Sequence, residues 1–142
     1  MGRALEMARL ARVRGEVPVG AVIVREGRLL AEGHNLTVTR SDPTAHAEVV
    51  TIRRATARLG DWRLEGATLY TTLEPCALCS GAMVLARVPR VVYGASDPKA
   101  GMAGTLGNLL QDSRLNHRAE VTAGVLAEAS AQLLQDFFRI RR

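Results

Sequence analysis

Two short segments of the chain carry the residue types that bind metals and transfer protons. The first, DPTAHAE, contains His46 and Glu48, and the second, LEPCALC, contains Cys76 and Cys79. These are the only two cysteines and one of the three histidines of the chain. One imidazole and two thiolates form the ligand set of a zinc site that keeps its fourth tetrahedral position open for water. The combination therefore predicts a zinc centre that carries out hydrolysis.

The spacing within each segment suggests a role for each side chain. Cys76 and Cys79 are three residues apart, so they project from one face of the first turn of a helix. His46 can meet them where two helix N-termini converge. Glu48 lies two residues from His46, and side chains at that spacing diverge on a helix. We therefore expect Glu48 to take a proton from the activated water and pass it to the departing group, and not to bind the metal.

A closed zinc site is the main alternative on the residues alone. His34 or His117 would then supply a fourth ligand, and the metal would stabilise a binding module without catalysis. Cysteines only three residues apart make a poor disulfide framework. In a reducing compartment, C-x-x-C is more typical of a metal site or a redox pair.

The hydrophobic pattern predicts the elements that bring these segments together. They are a helix ending before residue 15, a central strand at 17–24, a turn at 25–28, an antiparallel strand at 29–33, a polar loop, a helix starting at Asp42-Pro43 and stopping at Gly60, a strand at 67–73, a helix from Pro75 to residues 88–89, a strand at 90–95, a short edge strand within 119–124 and a helix at 128–142. The strand–helix–strand unit over residues 67–95 requires parallel pairing. We therefore expect a layered α/β fold.

Composition limits the classes of protein that fit. The 142 residues suffice for one domain with a core, and no apolar run approaches the ~18 residues of a membrane span. The N-terminus lacks the apolar core of a secretory signal, so we expect a cytoplasmic protein. The chain has 19 Lys plus Arg against 14 Asp plus Glu, a net charge of +5, which fits a nucleic-acid partner or a solvated basic surface equally well.

The chain resembles the zinc-dependent cytidine/deoxycytidylate deaminase superfamily and, within it, bacterial tRNA-specific adenosine deaminases. The matching segments are EVPVGAV at 16–22, DPTAHAE at 42–48, TLEPC at 72–76, GAM at 81–83, NHR at 116–118 and FFR at 137–139. The likeness covers nearly the whole chain. It implies an α/β fold of cytidine deaminase type, a three-layer α/β/α sandwich with a central mixed five-stranded sheet, in a single zinc-dependent deaminase domain over residues 1–142.

The resemblance also implies an activity. One Zn²⁺ per subunit would be held by His46, Cys76 and Cys79, with Glu48 as the catalytic proton shuttle. Water would attack C6 of the wobble adenosine of a tRNA, as in the family an arginine tRNA, giving inosine and ammonia. The backbone amides of Ala47 and Cys76 would position the water and the developing oxygen. A deaminase of a free base or nucleoside, such as guanine or cytidine, is the alternative enzyme.

Further residues match substrate-binding positions of the resembled family. Asn35 would hold the flipped base, although a turn asparagine is the alternative. Four more positions would line the anticodon-loop groove, or else serve as loop caps and surface charges: Asp97, Lys99, Asn116 and His117.

The C-terminal segment FFRIRR combines ring faces with guanidinium groups, which suits stacked bases and phosphates. Phe138 and Arg139 are therefore predicted RNA contacts, while core packing and the helix dipole are the alternatives. The resemblance implies a homodimer on the anticodon stem-loop. The apolar run at 81–86 is a candidate interface, and core burial explains it equally well.

Overall fold

A computed structural model describes residues 1–140 of the chain. Its elements are, in order, α1 (Gly2–Val13), β1 (Gly20–Arg25), β2 (Arg28–His34), α2 (Thr37–Arg40), α3 (Ala47–Leu59), β3 (Ala67–Leu73), α4 (Ala77–Leu85), β4 (Arg90–Ala95), β5 (Glu120–Thr122) and α5 (Ala127–Ile140). Arg141 and Arg142, predicted to extend the basic tail, lie outside the described residues. No helix within residues 1–140 is long and apolar enough to cross a membrane.

The five strands form one mixed sheet in the order β2-β1-β3-β4-β5. β1 pairs antiparallel with β2 and β3, whereas the pairs β3–β4 and β4–β5 are parallel. The predicted mixed five-stranded sheet is confirmed, and so is the unit in which α4 connects two parallel strands. β1 is an interior strand, as its apolar sequence predicts, although the middle position belongs to β3.

Helices cover both faces of the sheet. At Gly20 of β1, the space that a Cβ would occupy is taken by the backbone of Ala4 and Ala8, so α1 packs directly on this face. Ile23 is three residues further along β1 and points to the opposite face, where it belongs to one hydrophobic cluster with Val49 of α3 and Met83 of α4. α5 packs on β4 beside α1. The predicted three-layer α/β/α arrangement is therefore confirmed.

The helix that carries Glu48 starts later than the sequence indicates. The sequence pattern predicts a start at Asp42-Pro43, but α3 begins at Ala47 with His46 as its N-cap. Asp42 instead accepts hydrogen bonds from the amide and hydroxyl of Thr44, at 2.8 and 2.7 Å, which closes a turn before the helix. The predicted stop is correct, because Gly60 adopts the left-handed conformation at the C-cap.

The other boundary errors have similar local causes. α4 begins at Ala77, two residues after the predicted Pro75, with Cys76 as its N-cap. It ends at Leu85, because Arg87 turns the chain with a φ of 59°. The predicted polar loop after β2 contains the one-turn helix α2, which is held by the distant carboxylate of Glu16.

The connection from β4 to β5 has no helix. Residues 96–119 join these parallel strands through turns and one isolated bridge between Ala103 and Asn108. The side chain of Glu74, at the end of β3, accepts four hydrogen bonds from this segment. The loop is therefore organised by a buried carboxylate at the edge where the candidate site lies.

Candidate active site

His46, Cys76 and Cys79 meet at the N-termini of α3 and α4. Their ligand atoms all lie within 4.8 Å of one another, and Nδ1 of His46 is 3.5 Å from each sulfur. His46 and Cys76 are the N-caps of the two helices. Because helix N-termini carry partial positive charge, they favour thiolates. The predicted ligand group is therefore assembled, and it could hold a metal ion.

Hydrogen bonds inside this group give the two thiols very different pKa values. The hydrogen bond from Cys79 lowers the pKa of Cys76 to about 4. The same bond, together with burial, raises the pKa of Cys79 far above its usual range. The hydrogen bond to Cys76 raises the pKa of His46. Cys76 is therefore the thiolate at neutral pH, and a metal that bound all three side chains would release the remaining protons.

Glu48 lies beside this group on the first turn of α3. Only 4% of its surface is exposed, and burial raises the pKa of its carboxyl to about 7. In the metal-free protein this carboxyl can therefore take up or give up a proton near neutral pH. Glu48 is outside the group of ligand atoms. This placement agrees with a role in proton transfer.

A pocket of about 300 Å³ opens above these residues. His46, Glu48 and Cys76 contribute to its lining, and Val17, Val19 and Leu73 supply apolar walls. Its size is at the small end of the range for small-molecule sites. A flat heterocycle between apolar walls would thus face the metal ligands and the proton shuttle.

The chain matches known deaminases along its full length. The MafB19-like deaminase family matches residues 1–142. A tRNA-specific adenosine deaminase of Bacillus subtilis is 55% identical over 139 residues, which is 98% of this chain and 86% of that protein. One from Haemophilus influenzae is 48% identical over 143 residues, covering 100% of this chain and 83% of that protein. The chain belongs to the tRNA-specific adenosine deaminase family.

Solved structures agree with this membership and add a related group. A structure from work on A-to-I editing by tRNA:A34 deaminases at the wobble position has a TM-score of 0.89 and 44% identity, over 92% of this chain and 95% of that one. A guanine deaminase from Nitrosomonas europaea has a TM-score of 0.81 at 26% identity, over 96% and 81% of the two chains. The protein is therefore a deaminase with the cytidine deaminase-like fold.

The structure brings two of the predicted substrate residues into the pocket with Ala47. Asn35 lines it, with its Oδ1 accepting a 2.7 Å hydrogen bond from the Thr37 hydroxyl. Asp97 lines it from the opposite loop, and its carboxylate also caps a turn by accepting from the amides of Lys99 and Ala100.

A second cavity of about 960 Å³ continues from the pocket, sharing Val17, Leu73 and Asp97 with it. Lys99, Phe138 and Arg139 line this groove. Phe138 is 48% exposed, whereas its neighbour Phe137 is buried in the core.

Asn116 and His117 line neither cavity. Asn116 is exposed, and Nε2 of His117 lies 2.8 Å from the carbonyl of Val88, just before β4. β3 and β4 run parallel, so Val88 lies at the edge of the sheet opposite to Leu73 and the ligand group. The contacts of Asn116 and His117 with RNA remain predictions.

The closed-site alternative gains no support from the described residues. His34 is buried and hydrogen-bonds through Nδ1 to the Asn35 carbonyl and through Nε2 with Arg14. It does not belong to the group of metal-ligand atoms, and neither does His117. The group as described has three protein ligands, which leaves room for water at a tetrahedral ion.

Sequence reasoning gave no role to two buried acids near the pocket. Glu16 and Glu74 are 0% and 1% exposed. Glu16 accepts hydrogen bonds from α2 and Glu74 from the loop after β4, and both of these segments line the pocket. The only sequence signal was a glutamate within an apolar context, as in Leu73-Glu74-Pro75. That signal does not reveal which distant amides the carboxylate binds.

Proposed function

We propose that this deaminase binds one zinc ion and converts the wobble adenosine of a tRNA, an arginine tRNA by family resemblance, to inosine with release of ammonia. The observation that carries the proposal is the convergence of His46, Cys76 and Cys79 beside buried Glu48 at one end of a pocket sized for a base. Family membership supports the choice of substrate. We assign this activity to a single domain over residues 1–142.

The spacing of the ligand atoms fits zinc. With zinc bonds of about 2.0–2.1 Å to nitrogen and 2.3 Å to sulfur, a tetrahedral centre places N and S about 3.6 Å apart. The observed separation of His46 Nδ1 from each cysteine sulfur is 3.5 Å. A centre with two thiolates and one neutral imidazole matches the charge of Zn²⁺, and these soft ligands select against magnesium or calcium.

The chain's own residues have distinct tasks in the proposed reaction. Zinc, when bound, would supply a water activated for attack at neutral pH. Glu48 would accept a proton at its carboxylate and return it to the ring and the leaving amine. Ala47, at the first position of α3, has a backbone N–H that faces away from the helix ladder and can donate to a developing oxygen.

Asn35 is oriented by its neighbours. Its backbone N–H donates to the Val19 carbonyl at 3.1 Å, and its side-chain oxygen accepts from Thr37. The amide NH₂ is thereby left to donate to an acceptor on the base. Purine ring nitrogens are such acceptors, so this arrangement supports a flipped adenine as ligand.

The groove beside the pocket supports an RNA substrate over a free base. Lys99 brings positive charge to it, as does Arg139, whose guanidinium also pairs with Asp136, and half-exposed Phe138 offers a ring on which a splayed base can stack. A free base would need only the smaller pocket. The groove thus has the size and chemistry for nucleotides that flank the target.

A second copy of the chain is the proposed protein partner. Leu78, Gly81 and Leu85 lie on one face of α4, where Leu78 and Leu85 are 41% and 70% exposed and a Cβ on Gly81 would meet open space. The opposite face carries buried Met83, so core packing accounts for only half of this helix. An apolar helix face next to the metal ligands supports a homodimer.

Sedimentation tests the dimer. Leu85→Arg should convert a dimer to a monomer at micromolar concentration, whereas Val13→Arg, at an 83% exposed site on α1, should leave the dimer intact. A wild-type chain that sediments as a monomer would contradict the proposal.

We also propose a cytoplasmic location, which suits the two free cysteines and the tRNA substrate.

Parallel substrates test the activity. Zinc-loaded protein should form inosine in an anticodon stem-loop with a wobble adenosine, and its affinity for that RNA should fall as salt is added. Free adenosine, cytidine and guanine serve as controls, with guanine included because guanine deaminases share the fold. Turnover of a free base at a rate equal to that of the stem-loop would overturn the RNA assignment.

A further inference from the structure

Glu74 fastens one wall of the pocket. Its Oε1 accepts hydrogen bonds from the amide of Asp97, at 3.0 Å, and from the hydroxyl of Thr105. Its Oε2 accepts hydrogen bonds from the amides of Ala103 and Thr105, at 3.1 and 3.0 Å. A Cβ on Gly101 would overlap this carboxylate, so the loop wraps it closely. Asp97, one end of the wrapped segment, lines the pocket.

Glu16 fastens the opposite wall in the same way. Its Oε1 accepts the amide of Val38 at 3.0 Å, and its Oε2 accepts the amide and hydroxyl of Thr39 at 2.7 and 2.6 Å. Val38 and the adjacent Thr37 line the pocket, and the hydroxyl of Thr37 orients the amide of Asn35. Glu16 therefore positions Asn35 indirectly. It holds Val38 and Thr39, and the adjacent Thr37 holds the side chain of Asn35.

The two arrangements share their chemistry although they lie on different parts of the chain. Each is a fully buried carboxylate that holds one threonine by both its amide and its hydroxyl, and each lies where the backbone has no long regular element to hold it. We infer that Glu16 and Glu74 are positioning residues that hold the two facing walls of the pocket at the separation required by the base. This inference rests on the proposed function for its substrate.

Glutamine is the most informative substitution because it keeps the shape of glutamate and replaces one hydrogen-bond acceptor with an NH₂ donor. In either orientation, an amide NH₂ at residue 74 would face two donors, since each oxygen of Glu74 accepts two hydrogen bonds. At residue 16, one orientation would face only the Val38 amide. Glu74→Gln should therefore have the larger effect of the two.

Hydrogen exchange tests the anchoring without any substrate. In Glu74→Gln, the amides of Asp97, Ala103 and Thr105 should exchange about ten- to a hundredfold faster, because they lose hydrogen bonds to a charged acceptor, and the amides of residues 38–39 should be unchanged. Glu16→Gln should give the reverse pattern. Glu32→Gln is the matched control, since it removes an ion pair with Arg3 but lines neither cavity. Unchanged exchange in both segments would overturn the inference.

Kinetics on the stem-loop RNA test the positioning. Contacts to the walls are made in both the bound substrate and the transition state, so their loss should raise KM about tenfold or more while kcat changes little. Zinc should stay at one per chain. A loosened segment with unchanged KM would reduce the carboxylate to a structural role, and a loss of zinc or of kcat alone would assign Glu74 to the metal centre.

Thr105→Val and Thr39→Val keep the inference testable if a glutamine variant does not fold. Each removes one hydroxyl donor and keeps the carboxylate, and each should raise KM less than the corresponding glutamine variant does. A wild-type protein that forms no inosine would refute the proposed function, whereas the exchange patterns would still decide the anchoring. The two failures are therefore distinguishable.

Discussion

Glu48→Gln separates proton transfer from every other property of the site. The amide keeps the size of the carboxyl but cannot accept the proton of water at neutral pH. General acid–base catalysis contributes about 10²–10⁴ in rate, so kcat should fall by that factor, equivalent to about 3–5 kcal/mol on the barrier. Zinc content and the affinity for the stem-loop should be retained, since Glu48 is not among the ligand atoms.

The same substitution should stabilise the protein after zinc has been removed. Burial raises the folded-state pKa of Glu48 from 4.5 to about 7. Because this pKa is higher in the folded state, the penalty is absent below pH 4.5 and complete above about pH 7, where it amounts to about 3 kcal/mol. Glutamine carries no charge to bury. The zinc-free variant should thus exceed the wild type in free energy of unfolding at pH 8, and the two should converge near pH 5.

Two measurements check this pair of effects. Inosine formation gives kcat, and urea denaturation of chelator-treated protein from pH 5 to 8 gives the stability difference. Glu32→Gln is again the control, because its carboxylate pairs with Arg3 on the surface and should show neither effect. Wild-type kcat in Glu48→Gln would refute the role of proton shuttle, and a zinc-free variant less stable at pH 8 would refute the account of its burial.

Three further predictions concern the metal, the loss of stability at acidic pH and the packing of the sheet. Cys79→Ser should lower the zinc bound after dialysis below one per chain, measured by atomic emission, because a hydroxyl is a poor ligand beside a thiolate. The hydrogen bonds to Glu16 outweigh its burial and lower its pKa below 4.5, so its stabilisation is complete above that pH and lost as pH falls through the lowered value. The stability difference between wild type and Glu16→Gln should accordingly shrink between pH 5 and 3, and a constant difference would contradict this. Gly20→Ala should cost about 1–3 kcal/mol, or about 2–10 °C in Tm by calorimetry, because its Cβ would enter the backbone of α1. Gly2→Ala, whose Cβ would meet open space at the start of α1, should instead change the stability by less than about 0.5 kcal/mol, and equal effects would refute the packing argument.

The sequence identified the elements and the chemistry because both depend on local pattern. The apolar run before Arg25 predicts an interior strand, and Cys76 and Cys79 at a helix start predict a shared face, both of which the structure confirms. The predicted element boundaries were wrong where a side chain forms a hydrogen bond that the local sequence does not indicate. Asp42 bonds to Thr44 in place of the helix, and α2 forms because Glu16 reaches it from 22 positions away.

The walls of the pocket could not be predicted for the same reason. Which amides a buried carboxylate binds depends on how the loops close in three dimensions, and no local periodicity records it. His117 illustrates the converse. Its ring bonds to the carbonyl of Val88, a contact that the local sequence does not indicate, and its RNA contact remains a prediction.

The metal group and Glu48 define a deaminase but do not choose its substrate, since guanine deaminases with the same fold differ in what they accept. We propose that the choice is made by the parts of the pocket that surround the metal group. In this chain those parts are the Asn35 side, held by Glu16, and the Asp97 side, held by Glu74. One wall is formed by α2 and the residues before it, the other by the loop after β4, and each is held by a buried carboxylate that accepts several hydrogen bonds. A substitution that removes one of these hydrogen bonds, such as Thr39→Val or Thr105→Val, should therefore shift a wall and leave the metal centre intact.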